Sequence, residues 1–239
     1  MSITPDMPVR SRADDDPETA STRAARIVLR PIATPFPLGF AALATASLVI
    51  AGSELGWFSP TDRPIVAVLL IGFSFPLQLL SSIFGFLSRD TVAATGFAVQ
   101  GATWLVVGLG LLMGRPGHVD HVIGVLLLAS SAWVAFCAFG SSLGKLVPAA
   151  VMAAVSVRFL LTGLYQLSAS RGLEHAAGIV GLLVVALAAY GSLALEVENL
   201  ERRTVLPLLR RHKGAEALEG DFSTQTHRLI REPGAREQL

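Results

Sequence analysis

Between Pro76 and Leu112 two long apolar helical runs meet at one polar corner, Ser88-Arg89-Asp90-Thr91. A soluble domain has no layer with which to cover two such runs placed back to back. A bilayer has: ~20 apolar residues in a helix cross ~30 Å of hydrocarbon. The same pattern recurs along the chain until six crossings accumulate, at about 38–56, 65–87, 91–113, 121–140, 146–168 and 174–195. The breaks are short and carry turn or capping residues, as in Ser59-Pro60-Thr61-Asp62 and Gly114-Arg115-Pro116-Gly117, so successive helices are expected as antiparallel neighbours. The expected fold is an all-α integral membrane protein with six transmembrane helices, multi-pass in the plasma membrane.

Composition agrees. Hydrophobic residues make up 52% of the chain and charged residues 15%, with a mean hydropathy of +0.58. Only eleven charges fall between Pro37 and Leu195, and all but Arg158 lie at or near the end of an apolar run. Residues 1–33 read as a disordered cytoplasmic tail, 34–207 as the six-helix membrane domain, and 208–239 as a polar cytoplasmic tail. Residues 1–30 show no apolar core of signal-peptide type, so no cleaved targeting segment is expected. With both termini inside, the cytoplasmic flanks receive Arg23, Arg26, Arg30, Arg89, Lys145, Arg202, Arg203, Arg210, Arg211 and Lys213, and the opposite side only Arg63, Arg115 and Arg171. The basic residues are not gathered on a soluble element, so a nucleic-acid partner is not expected.

No catalytic or metal-binding constellation stands out. The five histidines, His118, His121, His175, His212 and His227, fall in loops, span ends or tails without metal-type spacing, and the single cysteine, Cys137, lies inside an apolar run. No cofactor and no enzymatic activity are expected. The polar residues inside the spans carry more information, because a polar group without a partner is costly in hydrocarbon. Gln78, Ser81 and Ser82 share a face of the second span; Thr95, Gln100 and Thr103 occupy the third; Thr45 and Ser47 the first. A serine or threonine satisfies itself on its own helix backbone or joins two helices. A primary amide cannot do so alone, so Gln78 and Gln100 are candidates for the wall of a wet path. Arg158 sits near the middle of the fifth span, at a cost of ~2.5 kcal/mol or more, and must pair, face water or face another subunit. A guanidinium in a pore would favour an anion. No Asp or Glu lies in mid-span, so a proton moving with substrate would ride on a monocarboxylic acid with a pKa of ~4–5.

Several stretches resemble the acetate uptake transporter family, the acetate/succinate–proton symporters of bacteria and their fungal relatives. Thr34-Pro35-Phe36-Pro37-Leu38-Gly39-Phe40 is similar to the family signature Asn-Pro-Ala-Pro-Leu-Gly-Leu. Gln78, Asp90-Thr91, Gly101 and Trp104-Leu105 follow the family's spacing, as do Gly124-Val125, Phe139-Gly140 and Gly144. Glu196-Val197-Glu198-Asn199 with Arg203-Thr204-Val205-Leu206-Pro207 resembles its ending. The resemblance covers roughly residues 34–207. It implies a six-helix protomer with its own central pathway, assembled as a homo-oligomer (a hexamer) in the lipid bilayer and passing small carboxylates such as acetate. By position it implies a narrowing formed by Leu43, Gln100 and Val155, where the family usually has Phe, Tyr and Leu. Thr34 and Phe36 depart from the signature, Gly85 stands where the family has a glutamate, and Arg158 takes an ordinarily apolar place.

The expected function is therefore a transporter or channel for acetate-like monocarboxylates, with or without proton coupling, with Leu43, Gln100 and Val155 as the constriction. Ser47, Gln78, Thr103 and Arg158 are candidates along the substrate pathway. Two alternatives remain open at this stage. One is a channel for a small neutral solute, ammonia or an undissociated acid. The other is a non-transporting structural or stress-response membrane protein packed through small residues, such as Gly110-x-x-x-Gly114 and Ala42-x-x-x-Ala46. Gln78 and Gln100 turned outward would exclude permeation.

Overall fold

The computed structural model describes residues 32–114, 118–201 and 203–211, all within the unit Ile32–Ala215. The expected tails before 32 and after 211 lie outside the described residues, as do Arg115 and Arg202. Among the described residues six helical spans are long and apolar enough to cross a membrane: Phe36–Glu54, Pro60–Leu87, Thr91–Met113, His121–Ser142, Leu146–Ser168 and Arg171–Glu201. Among the described residues there is no β-strand, only an isolated bridge between Lys145 and Arg210.

Local chemistry sets the ends. Ser59 and Asp62 form a reciprocal capping box at the start of the second span. Asp90 accepts from the Ala93 N–H at 2.9 Å and starts the third, while Asp120 accepts from Val122 and Ile123 and starts the fourth. Inside the second span, Pro76 has no N–H to give and its ring crowds the preceding turn. The helix accommodates it with a π turn over Leu70–Ser74, in which the Phe75 N–H reaches back to the Leu70 carbonyl.

Each span packs on its neighbours in sequence, and the sixth closes on the first. The six therefore form a ring whose axis is filled by side chains. Outside the ring the surface is aliphatic and aromatic, with Ile65, Ile83, Phe84, Val125, Phe136 and Leu183 among the exposed residues. Inside are Gln78, Gln100, Ser47 and Arg158. The few polar side chains of the spans are thus turned inward, among an otherwise apolar interior, while the surface that meets lipid is greasy.

The second and third spans approach closely at Gly85. A Cβ there would stand 2.7 Å from the Ala94 backbone nitrogen, so the family's glutamate has no room at this place. Ser82 Oγ donates across the same seam to the Ala94 carbonyl at 2.8 Å.

The sixth helix has 31 residues, or ~46 Å, so its last turns outrun the hydrocarbon. There the chain folds back, and it stays on the bundle to Arg211, four residues past the boundary drawn at 207. Leu208 is buried. The Val147 and Leu146 N–H groups donate to the carbonyls of Leu208 and Leu209, and the Arg211 N–H to that of Gly144. Arg210 pairs with Glu198, and Tyr190 Oη donates to the Pro207 carbonyl. Lys145, whose ammonium lies 5.6 Å from the Phe36 ring centroid, is held below the ordinary lysine range by burial and then by Arg210.

Candidate functional site

The interior is stacked in layers, because the first, third and fifth spans run in the same direction around the ring. At one end Phe36, Phe40 and Phe97 form a ring cluster with centroids 5.3 to 5.7 Å apart. Phe36, which stands in place of the signature's alanine, supplies one of these rings. The signature itself forms the first turn of the first span. Pro35 and Gly39 are buried, Leu38 faces outward, Thr34 is half-buried, and the Pro37 carbonyl accepts from Ser192 Oγ of the sixth span at 2.8 Å.

One turn further in are Leu43, Gln100 and Val155, each with no solvent exposure. Leu43 and Val155 belong to the same apolar cluster as Phe97 and Met152. Gln100 bridges the seam: its Oε1 accepts from Gln78 Nε2 at 3.4 Å and its own Nε2 donates to Met152 Sδ at 3.1 Å. Gln78 and Gln100 therefore turn inward. Gln78 Oε1 has no partner among the described residues. The axis is shut here in this conformation.

The next layer holds Ser47, Trp104 and Arg158. Arg158 is 1% exposed, which places it inside the protomer and not on a face available to another subunit. Its Nη1 donates to the Ser47 carbonyl at 3.1 Å, and its Cζ lies 5.8 Å from the centroid of the Trp104 ring. Trp104 in turn meets Phe159 edge to face at 5.3 Å. Gly181 of the sixth span leaves room for the guanidinium, since a Cβ there would sit 3.0 Å from Arg158 Cζ. Ser47 Oγ and Trp104 Nε1 have no partner among the described residues.

At the far end Arg158 Nη2 meets Glu54 Oε2 at 3.2 Å, and Thr162 Oγ1 donates to Glu54 Oε1 at 3.0 Å. This ion pair narrows one expectation. The sequence places Glu54 at a span end and leaves Arg158 to pair, to face water or to face another subunit; the structure selects pairing, and with Glu54. The pair is electrically neutral, so its attraction for an anion depends on what Glu54 does. A signal for it existed in the sequence: Leu43, Ser47 and Glu54, spaced by four and seven residues, fall on one helix face, as do Val155, Arg158 and Thr162.

Other polar residues do not join the axis. Thr103 Oγ1 donates to the Val99 carbonyl at 2.7 Å and lies 2.8 Å from Ser130 Oγ, tying the third span to the fourth. Ser81 and Thr45 bond their own helices.

The GPR1/FUN34/yaaH family model matches residues 18–204. The succinate-acetate/proton symporter SatP of Escherichia coli K12 is 25% identical over 185 residues, covering 76% of this chain and 97% of that protein. Ammonia transport outward protein 3 of Saccharomyces cerevisiae is 26% identical over 165 residues, covering 63% of this chain and 58% of that protein. Among solved structures, the bacterial acetate channel SatP superposes with a TM-score of 0.67 at 25% identity, covering 74% of this chain and 99% of that one.

Proposed function

The chain belongs to the GPR1/FUN34/yaaH family, and from that premise we propose that it carries acetate-like small monocarboxylates through a pathway along the axis of each protomer. Two relatives named for acetate, a symporter and a channel, align over nearly their whole length, which supports this reading. The observation that carries it for this chain is the inward-facing amide pair Gln78–Gln100 at the middle of a lipid-solvated ring. In this reading Leu43, Gln100 and Val155 narrow the pathway, with Gln78, Ser47 and Arg158 on its wall. Width and hydrogen-bond lining then select the solute. Because all three narrowing residues are closed off from solvent, passage requires them to part.

The membrane is the plasma membrane, and both termini face the cytoplasm, in line with the basic flanks at Arg89, Lys145, Arg210 and Arg211. Assembly as a hexamer follows the family resemblance. A neutral solute is the second reading. It is favoured by the mutual neutralisation of Arg158 and Glu54 and by the yeast relative named for ammonia transport.

Labelled acetate uptake into vesicles, with and without a pH gradient and against protein-free vesicles, tests the main reading. Acetate flux above the protein-free level is expected; methylammonium flux without acetate flux would replace it with the second reading. For the narrowing, Gln100→Tyr should slow larger carboxylates more than acetate. An unchanged profile across carboxylates of graded size would remove Gln100 from it.

A further inference from the structure

Two residues that contact the Arg158 guanidinium each carry a buried polar atom with no hydrogen-bond partner among the described residues. Ser47 Oγ belongs to the residue whose carbonyl accepts from Arg158 Nη1, and Trp104 Nε1 belongs to the indole over which the guanidinium lies. A serine hydroxyl, an indole N–H and a planar fork of donors together suit one acceptor-only group, and a carboxylate is such a group. Glu54 now holds the fork from one side. It is the last residue of its helix, where the backbone dipole disfavours a negative charge, and the chain leaves at once through Leu55 and Gly56 (φ 75°).

We propose that Arg158, Ser47 and Trp104 form the binding site of the transported carboxylate, and that Glu54 is the internal counter-ion that carries the coupled proton. This deepens the carboxylate reading above and rests on it. The exchange conserves charge and atoms. An incoming carboxylate and a proton replace one salt bridge with another: the proton bonds to a Glu54 oxygen, the neutral acid releases Arg158, and the substrate carboxylate takes the freed donors. Release runs in reverse, so each turnover moves one carboxylate with one proton. The other polar groups facing Glu54 are Thr162, which donates to it, and Tyr165 of the fifth span and Glu174 of the sixth.

The site also sets a substrate class. It offers one cation for one carboxylate, and the Trp104–Phe159 edge offers an apolar wall for a short alkyl group. A second carboxylate would find Glu54 and no cation, so short monocarboxylates are favoured over dianions.

The test uses the full chain in proteoliposomes and in detergent. Wild type should take up about one proton per acetate bound, measured by titration calorimetry in two buffers of different ionisation heat. Glu54→Gln keeps the shape and should bind acetate with about zero protons. Trp104→Phe keeps the ring and should weaken binding by about tenfold, the scale of a lost hydrogen bond to a charged group. The double change Arg158→Leu with Glu54→Leu removes both charges together and should abolish specific uptake while the protein still elutes as wild type. Wild-type uptake by that double variant, or one proton per acetate in Glu54→Gln, would overturn this assignment and leave the transport reading standing. Wild-type protein with no acetate flux would overturn the transport reading itself.

Discussion

Arg158 and Glu54 are buried together, so removing one partner should cost far more than removing both. In Arg158→Met, Glu54 keeps only the Thr162 hydroxyl, at 3.0 Å. A carboxylate stranded in that place takes a proton from solution. From the ordinary glutamate value of ~4.3, pH 7 lies about 2.7 units away, and at ~1.36 kcal/mol per unit the change costs ~4 kcal/mol. That agrees with the ~3–5 kcal/mol typical of breaking a buried pair. At ~2–4 °C per kcal/mol for a chain of this size, the melting temperature should fall by roughly 8–16 °C. The cost is a protonation cost, so it should shrink to ~1 kcal/mol at pH 5. Adding Glu54→Leu to Arg158→Met should restore most of the loss, since an apolar pair of similar volume is about neutral against a buried ion pair. The assay is a thermal melt of the four proteins of the cycle in one detergent, at pH 7 and pH 5. A double variant no more stable than Arg158→Met, or a deficit unchanged at pH 5, would refute the coupling.

Gly85→Glu, which restores the family's residue, should lower stability by more than ~3 kcal/mol, because backbone atoms of Ala94 occupy the place of its Cβ; a wild-type melt would refute the close approach. Arg210→Ala leaves Glu198 with Thr204 as its partner and should cost about 1–3 kcal/mol. It should also open 203–211 to limited proteolysis before the bundle melts. Lys145, held below the ordinary lysine range by burial and Arg210, binds its proton less well folded than unfolded. The resulting penalty is present at pH 7 and fades as pH rises toward that range. Lys145→Met should therefore melt higher than wild type at neutral pH, and its advantage should disappear in alkali; a constant difference across pH would disprove the titration.

Gln78 and Gln100 show how much of the site was legible in advance. Their inward direction follows from the cost of an amide in lipid, which any helix at that depth must meet. That they meet each other, with Met152 as the third member, depends on the height at which the second and third spans align, and the Gly85 seam sets that height. Phe36 illustrates the reverse case. It read as a departure from a signature alanine, yet its ring packs with Phe40 and Phe97 one turn before Leu43 and Gln100. Thr103 had the right type and span, but its face belongs to the seam with Ser130.

Hydropathy and length determined six crossings, their breaks and their caps from the sequence alone, because solvation by lipid and the capping of a helix end act over a few consecutive residues. Tertiary structure alone decided that the sixth span closes on the first, that 208–211 return to Gly144 and Glu198, and that Glu54 meets a guanidinium 104 residues later. Those contacts depend on the relative height and rotation of whole helices. Periodicity tells which face of a helix is polar, and only packing decides which residue on another helix that face will meet.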